Sequence, residues 1–386
     1  MSNKFCVFCG KEPKNKTREH ILPQWLIELT GKPNRVVNFG INYDDEKTIS
    51  FAWSQFVVPA CEKCNYEYSV LEAKVKPLIE KTLLRESIPA KDWVNILDWL
   101  DKVRVGLWLA YHLIQKNPTG IEPSFHINDR INTKDRMVCV YPIKDNRDGL
   151  NGFGSETLLF HRSPSCIAIR INDVIILNMS TDYLFAGRCG FPFPKERKII
   201  IEKDNDGLLF VSNFKCSEKV KHPIIRESIF KPSIQLYQPI MQKDINGDFP
   251  LIDGSLKYMS TNYIKKHTLP DEEGHGVLFR QYKSEVIPIY DKDELIEFDK
   301  IDPPDSKPLY KILAQVYDFQ IYCHQLNLVK STDQNKLKEH IRNDNLLLKM
   351  NRSLKSIHLH QANSAMNKPA NSALDSDVEK APHPLA

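Results

Sequence analysis

Apolar residues recur every three to four positions in two stretches, and this spacing predicts two helices. The first covers residues 65–86 and contains Tyr68, Leu71, Val75, Leu78, Ile79 and Leu83. Pro77 is expected to kink or divide this helix, because proline lacks the amide hydrogen that a helix uses. The second covers residues 91–116, where a broad apolar stripe is predicted to face the core. Its members are Trp93, Ile96, Leu97, Leu100, Val103, Leu107, Ala110, Leu113 and Ile114. The turn residues 117–120 are expected to end this helix.

From about residue 120 the pattern changes to short apolar runs separated by turn residues, which is typical of strands. The runs are residues 137–141, 157–160, 166–171, 174–177, 198–201 and 208–211. Asn172 and Asp173, between two of these runs, predict a two-residue hairpin turn. We therefore expect a mainly antiparallel sheet. Residues 220–305 are rich in proline and show no clear period.

Three further segments have an interpretable pattern. Residues 34–60 are predicted to be extended. Residues 308–328 are predicted to form a helix, and a charged helix is expected over about 333–355. The tail from about 356 to 386 is rich in Asn, Ser, Ala and Pro, and is predicted to be disordered.

The composition adds limits on class and location. The chain has 386 residues, 41% hydrophobic and 26% charged, as in globular proteins of two or three domains. No apolar run approaches the roughly 20 residues that cross a bilayer, and the N-terminus lacks the apolar core of a signal peptide. These features predict a cytoplasmic protein with no membrane partner.

The net charge of +4 is compatible with a nucleic-acid ligand. The basic residues of segment 1–26 either hold phosphates or form a solvated loop; they are Lys4, Lys11, Lys14, Lys16 and Arg18, against the acids Glu12 and Glu19.

The cysteines predict a metal site. Of nine cysteines, four form two Cys-x-x-Cys pairs, Cys6/Cys9 and Cys61/Cys64. Each pair grips a metal from one tight turn, so two pairs predict a tetrahedral zinc site. Zinc held by four thiolates has no open position for substrate and is predicted to be structural. The other five are predicted to be free thiols: Cys139, Cys166, Cys189, Cys216 and Cys323.

Between the two pairs lies the sequence Glu19-His20-Ile21-Leu22-Pro23, and Asn65 directly follows Cys64. This combination resembles the HNH nucleases, the ββα-metal or His-Me finger family, in their zinc-stapled form. In that family a Cys-x-x-Cys turn precedes an acid-His strand, and a second strand leads to a Cys-x-x-Cys-Asn turn that opens a helix. The resemblance covers about the first 85 residues. It implies a treble-clef-like ββα nuclease domain.

The resemblance also implies roles for individual residues. His20 is expected to act as the general base that activates water for attack on a phosphodiester. Glu19 and Asn65 are expected to bind a catalytic Mg²⁺ or Mn²⁺. Imidazole accepts a proton near neutral pH, and a hard cation with oxygen ligands stabilises the negative charge that develops on the phosphate.

The chain departs from the family pattern at two positions. Glu19 stands where many members have aspartate, and its extra methylene would move the cation. The asparagine that orients the histidine in the family has no clear match here. Phe56 stands near the expected place, with Ser54 and Gln55 beside it.

Each assignment has a structural alternative. Glu19 is also a potential ion-pair partner of Arg18, and Asn65 is a potential cap of the following helix. The alternative function is a zinc-stapled module that binds nucleic acid or protein without catalysis. Such a module needs only the cysteines, so the presence of Glu19, His20 and Asn65 together favours the nuclease.

The predicted fold class is α+β. Residues 1–88 are expected to be the nuclease domain, 89–119 a connecting amphipathic helix, 120–330 a mixed, β-rich target-recognition or sensor domain, and 331–386 a helix followed by a disordered tail. The predicted activity is hydrolysis of DNA, with RNA not excluded. A place in restriction or anti-phage defence is an expectation by analogy. A homodimer is also expected, since many HNH enzymes use two copies to cut both strands.

Overall fold

A computed structural model describes residues 5–41, 48–114, 123, 125–131, 135–144, 148–181, 193–198, 208–209, 213–217, 232–238, 277–282, 285–299, 307–326, 330–331 and 334–366. The chain mixes helices and sheets, as an α+β protein does, and carries a four-cysteine cluster near its N-terminus. The helices of the described residues are α1 (Gln24–Leu29), α2 (Glu62–Leu84), α3 (Ala90–Ile114), α4 (Leu158–Arg162), α5 (Lys307–Leu326) and α6 (Gln334–Met366).

The strands of the N-terminal half are β1 (Thr17–His20), β2 (Val36–Ile41), β3 (Thr48–Ala52), β4 (Val57–Ala60), β5 (Ile88–Pro89), β6 (Asp135–Pro142), β7 (Leu150–Phe153), β8 (Cys166–Ile171) and β9 (Val174–Thr181). Those that follow are β10 (Phe193–Lys198), β11 (Leu208–Leu209), β12 (Asn213–Ser217), β13 (Ile234–Gln238), β14 (Leu278–Tyr282), β15 (Glu285–Ile289), β16 (Leu295–Ile296) and β17 (Lys330–Ser331).

The largest sheet has seven strands in the order β15-β14-β13-β6-β9-β8-β7, and its neighbours pair antiparallel. Strands β8 and β9 form a hairpin in which Ile171 pairs with Val174. The turn between them is Asn172-Asp173, and Asn172 has a φ of 51°. Asparagine tolerates this left-handed conformation better than most residues do. The predicted hairpin is therefore confirmed.

The two faces of the sheet are covered by different helices. Alternate residues of β6 separate accordingly: Val138 and Val140 belong to the core that includes α3, whereas Met137 and Cys139 belong to the core that includes α5. Successive side chains of a strand point to opposite faces, so one strand supplies both cores. The sheet is thus the middle layer, with α3 on one side and α5 on the other.

Helix α3 differs from the amphipathic helix that its apolar spacing predicts, because it is buried on nearly every side. Its tryptophans are at most 2% exposed, and so are the charged residues Asp101, Lys102 and Arg104. Arg104 is paired with Asp101 at 2.7 Å, and Arg136 of β6 is paired with the same carboxylate at 2.9 Å. The helix lies between the cysteine-bearing unit and the sheet, which share one core with it. Charges that would face solvent on an outer helix here face partners.

One predicted strand is a helix: residues 158–160 of the run 157–160 lie in α4 (Leu158–Arg162), where the hydroxyl of Thr157 accepts the amide hydrogen of Phe160 and caps the first turn. Two helices also have bounds that differ from the prediction. Helix α2 runs from Glu62 to Leu84 with Pro77 inside it, so the predicted division does not occur. Helix α6 continues to Met366, where the sequence predicts disorder from about residue 356. Ala362, in this added part, is fully buried, which gives the helix a reason to continue. The predicted turn at 117–120, most of the runs 198–201 and 208–211, and the tail beyond 366 lie outside the described residues.

A buried histidine makes the stability of this fold depend on pH. His161 is 1% exposed, and its Nε2 lies 3.1 Å from the carbonyl of Ser155. Burial lowers the pKa of His161 to about 3, against about 6.5 in an unfolded chain. Below pH 6.5 the unfolded chain therefore takes up the proton first, and stability falls as the pH falls. We expect a loss of about 1.4 kcal/mol per pH unit down to about pH 3.

Urea unfolding at several pH values measures this slope. The control variant His161→Gln cannot titrate, so its stability should depend less on pH over the same range. An equal slope in both proteins would contradict the assignment of this pH dependence to His161.

Candidate metal centre and active site

The first cysteine pair lies in a tight turn. The amide of Cys6 donates to the carbonyl of Lys11 at 2.8 Å, and the amide of Gly10 donates to the carbonyl of Cys6 at 2.9 Å. Gly10 has a φ of +71°, and an added Cβ there would lie 2.4 Å from the ring of His126. Glycine suits both the backbone angle and the lack of space. The turn brings the sulfurs of Cys6 and Cys9 close together.

The second cysteine pair begins α2. Strand β4 ends at Ala60, Cys61 is the N-cap of the helix, and Cys64 lies in its first turn. The amide of Cys61 lies 3.2 Å from the sulfur of Cys6, and the amide of Lys14 lies 3.3 Å from the sulfur of Cys61. Amide hydrogen bonds of this kind stabilise thiolates. The backbone thus links the two turns through the sulfurs themselves.

The four sulfurs have the spacing of a zinc site. All of them lie within 4.8 Å of one another, and those of Cys9 and Cys61 are 3.9 Å apart. A tetrahedral zinc with Zn–S bonds of about 2.3 Å has sulfurs about 3.8 Å apart. Burial and the negative charges of Cys6 and Cys9 raise the pKa of Cys64 to about 12. A divalent cation among the sulfurs would offset both effects, so the cluster is suited to hold the zinc ion that its sequence predicts.

The residues of the acid-His motif lie on β1, next to this cluster. Strand β1 pairs antiparallel with β4, so that Glu19 is opposite Val58 and His20 is opposite Val57. Side chains alternate along a strand. Glu19 therefore points to one face, where it is 6% exposed. Arg18, which is exposed, and His20, which is half-buried, share the other face.

The ring of His20 is held by a backbone group. Its Nε2 lies 3.2 Å from the carbonyl oxygen of Ser54. A carbonyl only accepts hydrogen bonds, so Nε2 carries the hydrogen and Nδ1 keeps the lone pair. Ser54 is itself fixed, because its amide donates to the carbonyl of Pro33 at 3.2 Å and its hydroxyl donates to Asn34 at 2.8 Å. This contact fixes the orientation of the ring.

Glu19 is engaged by a buried lysine that the sequence analysis does not single out. The ammonium of Lys102 in α3 lies 2.5 Å from Oε1 of Glu19 and is also paired with Glu72 of α2. The same ammonium donates to the carbonyls of His20 and Ile21, each at 3.3 Å. Lys102 thus ties the end of β1 to both long helices. The ion pair predicted as an alternative, Glu19 with Arg18, is replaced by Glu19 with Lys102.

Lys102, Glu19 and Glu72 form a trio of charged groups, and burial affects the pKa values of Glu19 and Lys102. Desolvation raises the pKa of Glu19, although Lys102 opposes the shift. Burial lowers the pKa of Lys102, but the two carboxylates outweigh it and the net pKa is raised. Lys102 therefore stays charged at neutral pH. One ammonium faces two carboxylates, so the trio has a net negative charge when both acids are ionised.

Asn65 lies in the first turn of α2 and faces β1. Its side-chain nitrogen donates to the hydroxyl of Thr17 at 3.1 Å and to the carbonyl of Arg18 at 3.5 Å. The amide oxygen is therefore directed away from these two acceptors. The alternative role of helix cap is not observed, because Cys61 is the N-cap and its helix has no side-chain cap. Asn65 joins the helix to the strand that carries Glu19 and His20.

Replacing Lys102 by methionine is expected to destabilise the fold. The change keeps the length of the side chain but leaves Glu19 and Glu72 without their shared cation. Removing one partner of a buried ion pair costs about 3–5 kcal/mol. Urea unfolding measures the loss. The double variant Lys102→Met/Glu72→Gln has one negative charge, as the wild-type trio does, and should recover part of the stability. A single variant as stable as wild type would contradict this account.

The features that sequence reasoning missed leave little signal. A backbone carbonyl such as that of Ser54 has no residue signature. Lys102 follows Asp101 and precedes Arg104 by two positions, and three charges within one turn beside the apolar stripe of the helix are the sequence sign that charges are buried there. Glu72 lies seven residues after Asn65, which places both on the same side of α2.

Among the described residues, no helix combines the length and the apolar character needed to cross a membrane. No family model, curated protein or solved structure matches this chain.

Proposed function

We propose that residues 1–88 form an HNH-type nuclease unit that hydrolyses phosphodiester bonds of DNA. The observation that carries the proposal is the pairing of β1 with β4 and the contact of Asn65 in α2 with Thr17 of β1, which join the strand that carries Glu19 and His20 to the two elements that lead into the four-cysteine cluster. The order of these elements agrees with the resemblance that the motifs suggest. A zinc ion on Cys6, Cys9, Cys61 and Cys64 would hold the unit together and would take no part in the reaction.

In the proposed reaction His20 is the general base. Its Nδ1 takes a proton from a water molecule while the water oxygen forms a bond to phosphorus. The bond between phosphorus and the 3′ oxygen breaks, and the electron pair leaves on that oxygen, which then takes a proton from solvent. The products carry a 5′-phosphate and a 3′-hydroxyl. The contact of Nε2 with Ser54 supports this role, because it leaves Nδ1 as the accepting atom.

Glu19 and Asn65 would hold the catalytic Mg²⁺ or Mn²⁺. Such a cation stabilises the charge on the phosphate and on the leaving oxygen. Glu19 offers its carboxylate, whose Oε1 is ion-paired with Lys102 at 2.5 Å, and Asn65 offers its amide oxygen. The net negative charge of Glu19, Glu72 and Lys102 favours a cation nearby. Lys102 keeps Glu19 in place, so the lysine is part of the proposed site.

The basic residues around β1 support a polyanionic substrate. Lys11, Lys14, Lys16 and Arg18 are all exposed, and Arg18 shares the face of β1 with His20. Residues two apart on a strand are about 7 Å apart, comparable to the spacing of phosphates along a backbone. RNA carries the same phosphates, so it is the second substrate to test. By analogy we place the protein in restriction or anti-phage defence, with a homodimer as the form that cuts both strands.

One observation favours the alternative function, a zinc-stapled module that binds without cleaving. Glu19 is buried and already ion-paired with Lys102, as an acid with a purely structural role would be. In that case His20 and Asn65 would only join strands and helix. The two functions differ in whether bound DNA is cut.

Incubation of the zinc-loaded chain with supercoiled plasmid tests the proposal. With Mg²⁺ or Mn²⁺ we expect nicked or linear DNA whose new ends are 5′-phosphates, and no product when divalent cation is omitted. Retarded but intact plasmid with both metals would refute the nuclease and favour the binding module. A parallel reaction with single-stranded RNA decides between the two substrates.

A further inference from the structure

Helix α6 is fixed to the rest of the chain along one side. Leu348, Asn351 and Ala362 are buried on that side, and Asn351 donates to Gln320 of α5 at 2.8 Å. Lys355 is paired with Asp318 of α5 at 2.7 Å. The apolar side of α6 is therefore already occupied, and the opposite side is left to solvent.

The solvent side of α6 carries a row of basic residues. Lys338, Arg342, Lys349 and Arg352 are all exposed, and they are separated by four, seven and three positions. At 3.6 residues per turn these four lie within an arc of about 80°, along about 21 Å of the helix axis. Asn345 and Ser356, which are exposed and polar, lie in the same arc. We call these four basic residues the basic row.

The acidic residues of α6 do not neutralise the basic row. Glu339 and Asp344 are its only acids, and at 100° per residue both fall outside the arc. Asp344 is engaged elsewhere, because Arg162 of α4 lies 2.5 Å from its carboxylate. The basic row therefore presents four positive charges to solvent.

We propose that the basic row binds the phosphate backbone of duplex DNA and holds the target away from the cleavage site. This inference rests on the proposed function, because it takes the substrate from there. Lysine and arginine contacts to phosphates supply most of the sequence-independent affinity for DNA. Phosphates of one strand recur about every 3.4 Å along the duplex axis, so the row spans several of them.

Another anionic surface fits the geometry less well. Helices that lie on membranes insert a continuous apolar side between lipids. The buried side of α6 is packed against α5, and its exposed apolar side chains Ile341 and Leu346 are about 140° apart around the helix, so they form no such side. Helix α5 in turn covers the face of the sheet opposite α3. Helix α6 packs mainly on α5, so the basic row lies on a different layer from β1, which carries His20, as expected for a surface that holds a target and takes no part in the chemistry.

The test is DNA binding by the full-length, zinc-loaded chain carrying His20→Ala, so that DNA is not consumed. The quadruple variant Lys338→Gln/Arg342→Gln/Lys349→Gln/Arg352→Gln is compared with a charge-preserving control, Lys338→Arg/Arg342→Lys/Lys349→Arg/Arg352→Lys. The Kd for a fluorescent duplex of about 30 base pairs is measured by anisotropy at several salt concentrations. Far-UV circular dichroism and Tm establish that both variants are folded.

We expect the neutral variant to bind at least tenfold more weakly. The slope of the logarithm of its association constant against the logarithm of the salt concentration should be smaller in magnitude by about three to four. The control should keep the Kd and the slope. An unchanged Kd and slope in the neutral variant would overturn the proposal. It would also be overturned if the substitutions abolished binding to phosphatidylserine vesicles but left duplex binding intact. Because this assay measures binding and not cleavage, its result does not depend on whether the wild-type protein cuts plasmid. Failure of the wild-type protein to cut plasmid would refute the proposed nuclease activity and would leave the role of the basic row in binding to be decided by the Kd values.

Discussion

Replacing Cys61 by serine is expected to release the zinc ion and to unfold the N-terminal unit. Cys61 supplies one of four sulfurs and also accepts the amide hydrogen bond of Lys14. Structural zinc in small domains contributes about 10–16 kcal/mol at neutral pH, and a short hydroxyl side chain does not replace a thiolate. We expect less than a full equivalent of zinc by elemental analysis, together with a lower Tm.

The control is a cysteine outside the cluster. Cys323 lies in α5 and is 6% exposed, so Cys323→Ser makes the same exchange of sulfur for oxygen at a similarly buried position without removing a ligand. This variant should keep one equivalent of zinc. If Cys61→Ser also keeps a full equivalent and the same Tm, the four-cysteine site is not the zinc site.

Replacing His20 by alanine is expected to lower the cleavage rate at least 10²-fold, the range that a general base contributes. The fold should remain, because the ring is half-buried and its hydrogen bond goes to a backbone carbonyl at the surface of the unit. The measurement is the single-turnover rate of plasmid cleavage at saturating divalent cation. His360→Ala, an exposed histidine of α6, is the matched control and should cleave at the wild-type rate.

Much of this site is predictable because it depends on local sequence. Two Cys-x-x-Cys pairs predict a metal cluster, since the ligands within each pair are three residues apart and need only a tight turn. In the structure the four sulfurs lie within 4.8 Å of one another. The hairpin at Asn172 follows from the same kind of local rule.

The features of the fold and the site that the sequence does not predict depend on contacts between residues distant in the chain. The apolar spacing of α3 predicts one buried stripe, but the cysteine-bearing unit and the sheet cover it from two sides, so Lys102 and Asp101 are buried as well. The partner of Glu19 is 83 positions away in the chain, and no local pattern connects them. Similarly, α6 extends past its predicted end because α5 supplies a surface for it.

The burial of Lys102 changes how the acid-His motif is understood. An acid beside a histidine suggests a cation ligand, yet Glu19 lies against an ammonium that also holds the backbone of His20. A lysine in this place sets the position of both motif residues from α3. The same helix contacts β6 of the sheet through Asp101 and Arg136. Displacement of α3 by the sheet would therefore alter the proposed site directly.

The most direct test of the nuclease is a comparison of wild type and His20→Ala at equal zinc content in one plasmid assay with Mn²⁺. Zinc is quantified on the same samples, so that loss of the fold is separated from loss of the base. We expect cleavage by wild type and a rate at least 10²-fold lower in the variant. Cleavage by the variant at the wild-type rate, with zinc still bound, would contradict the proposed mechanism.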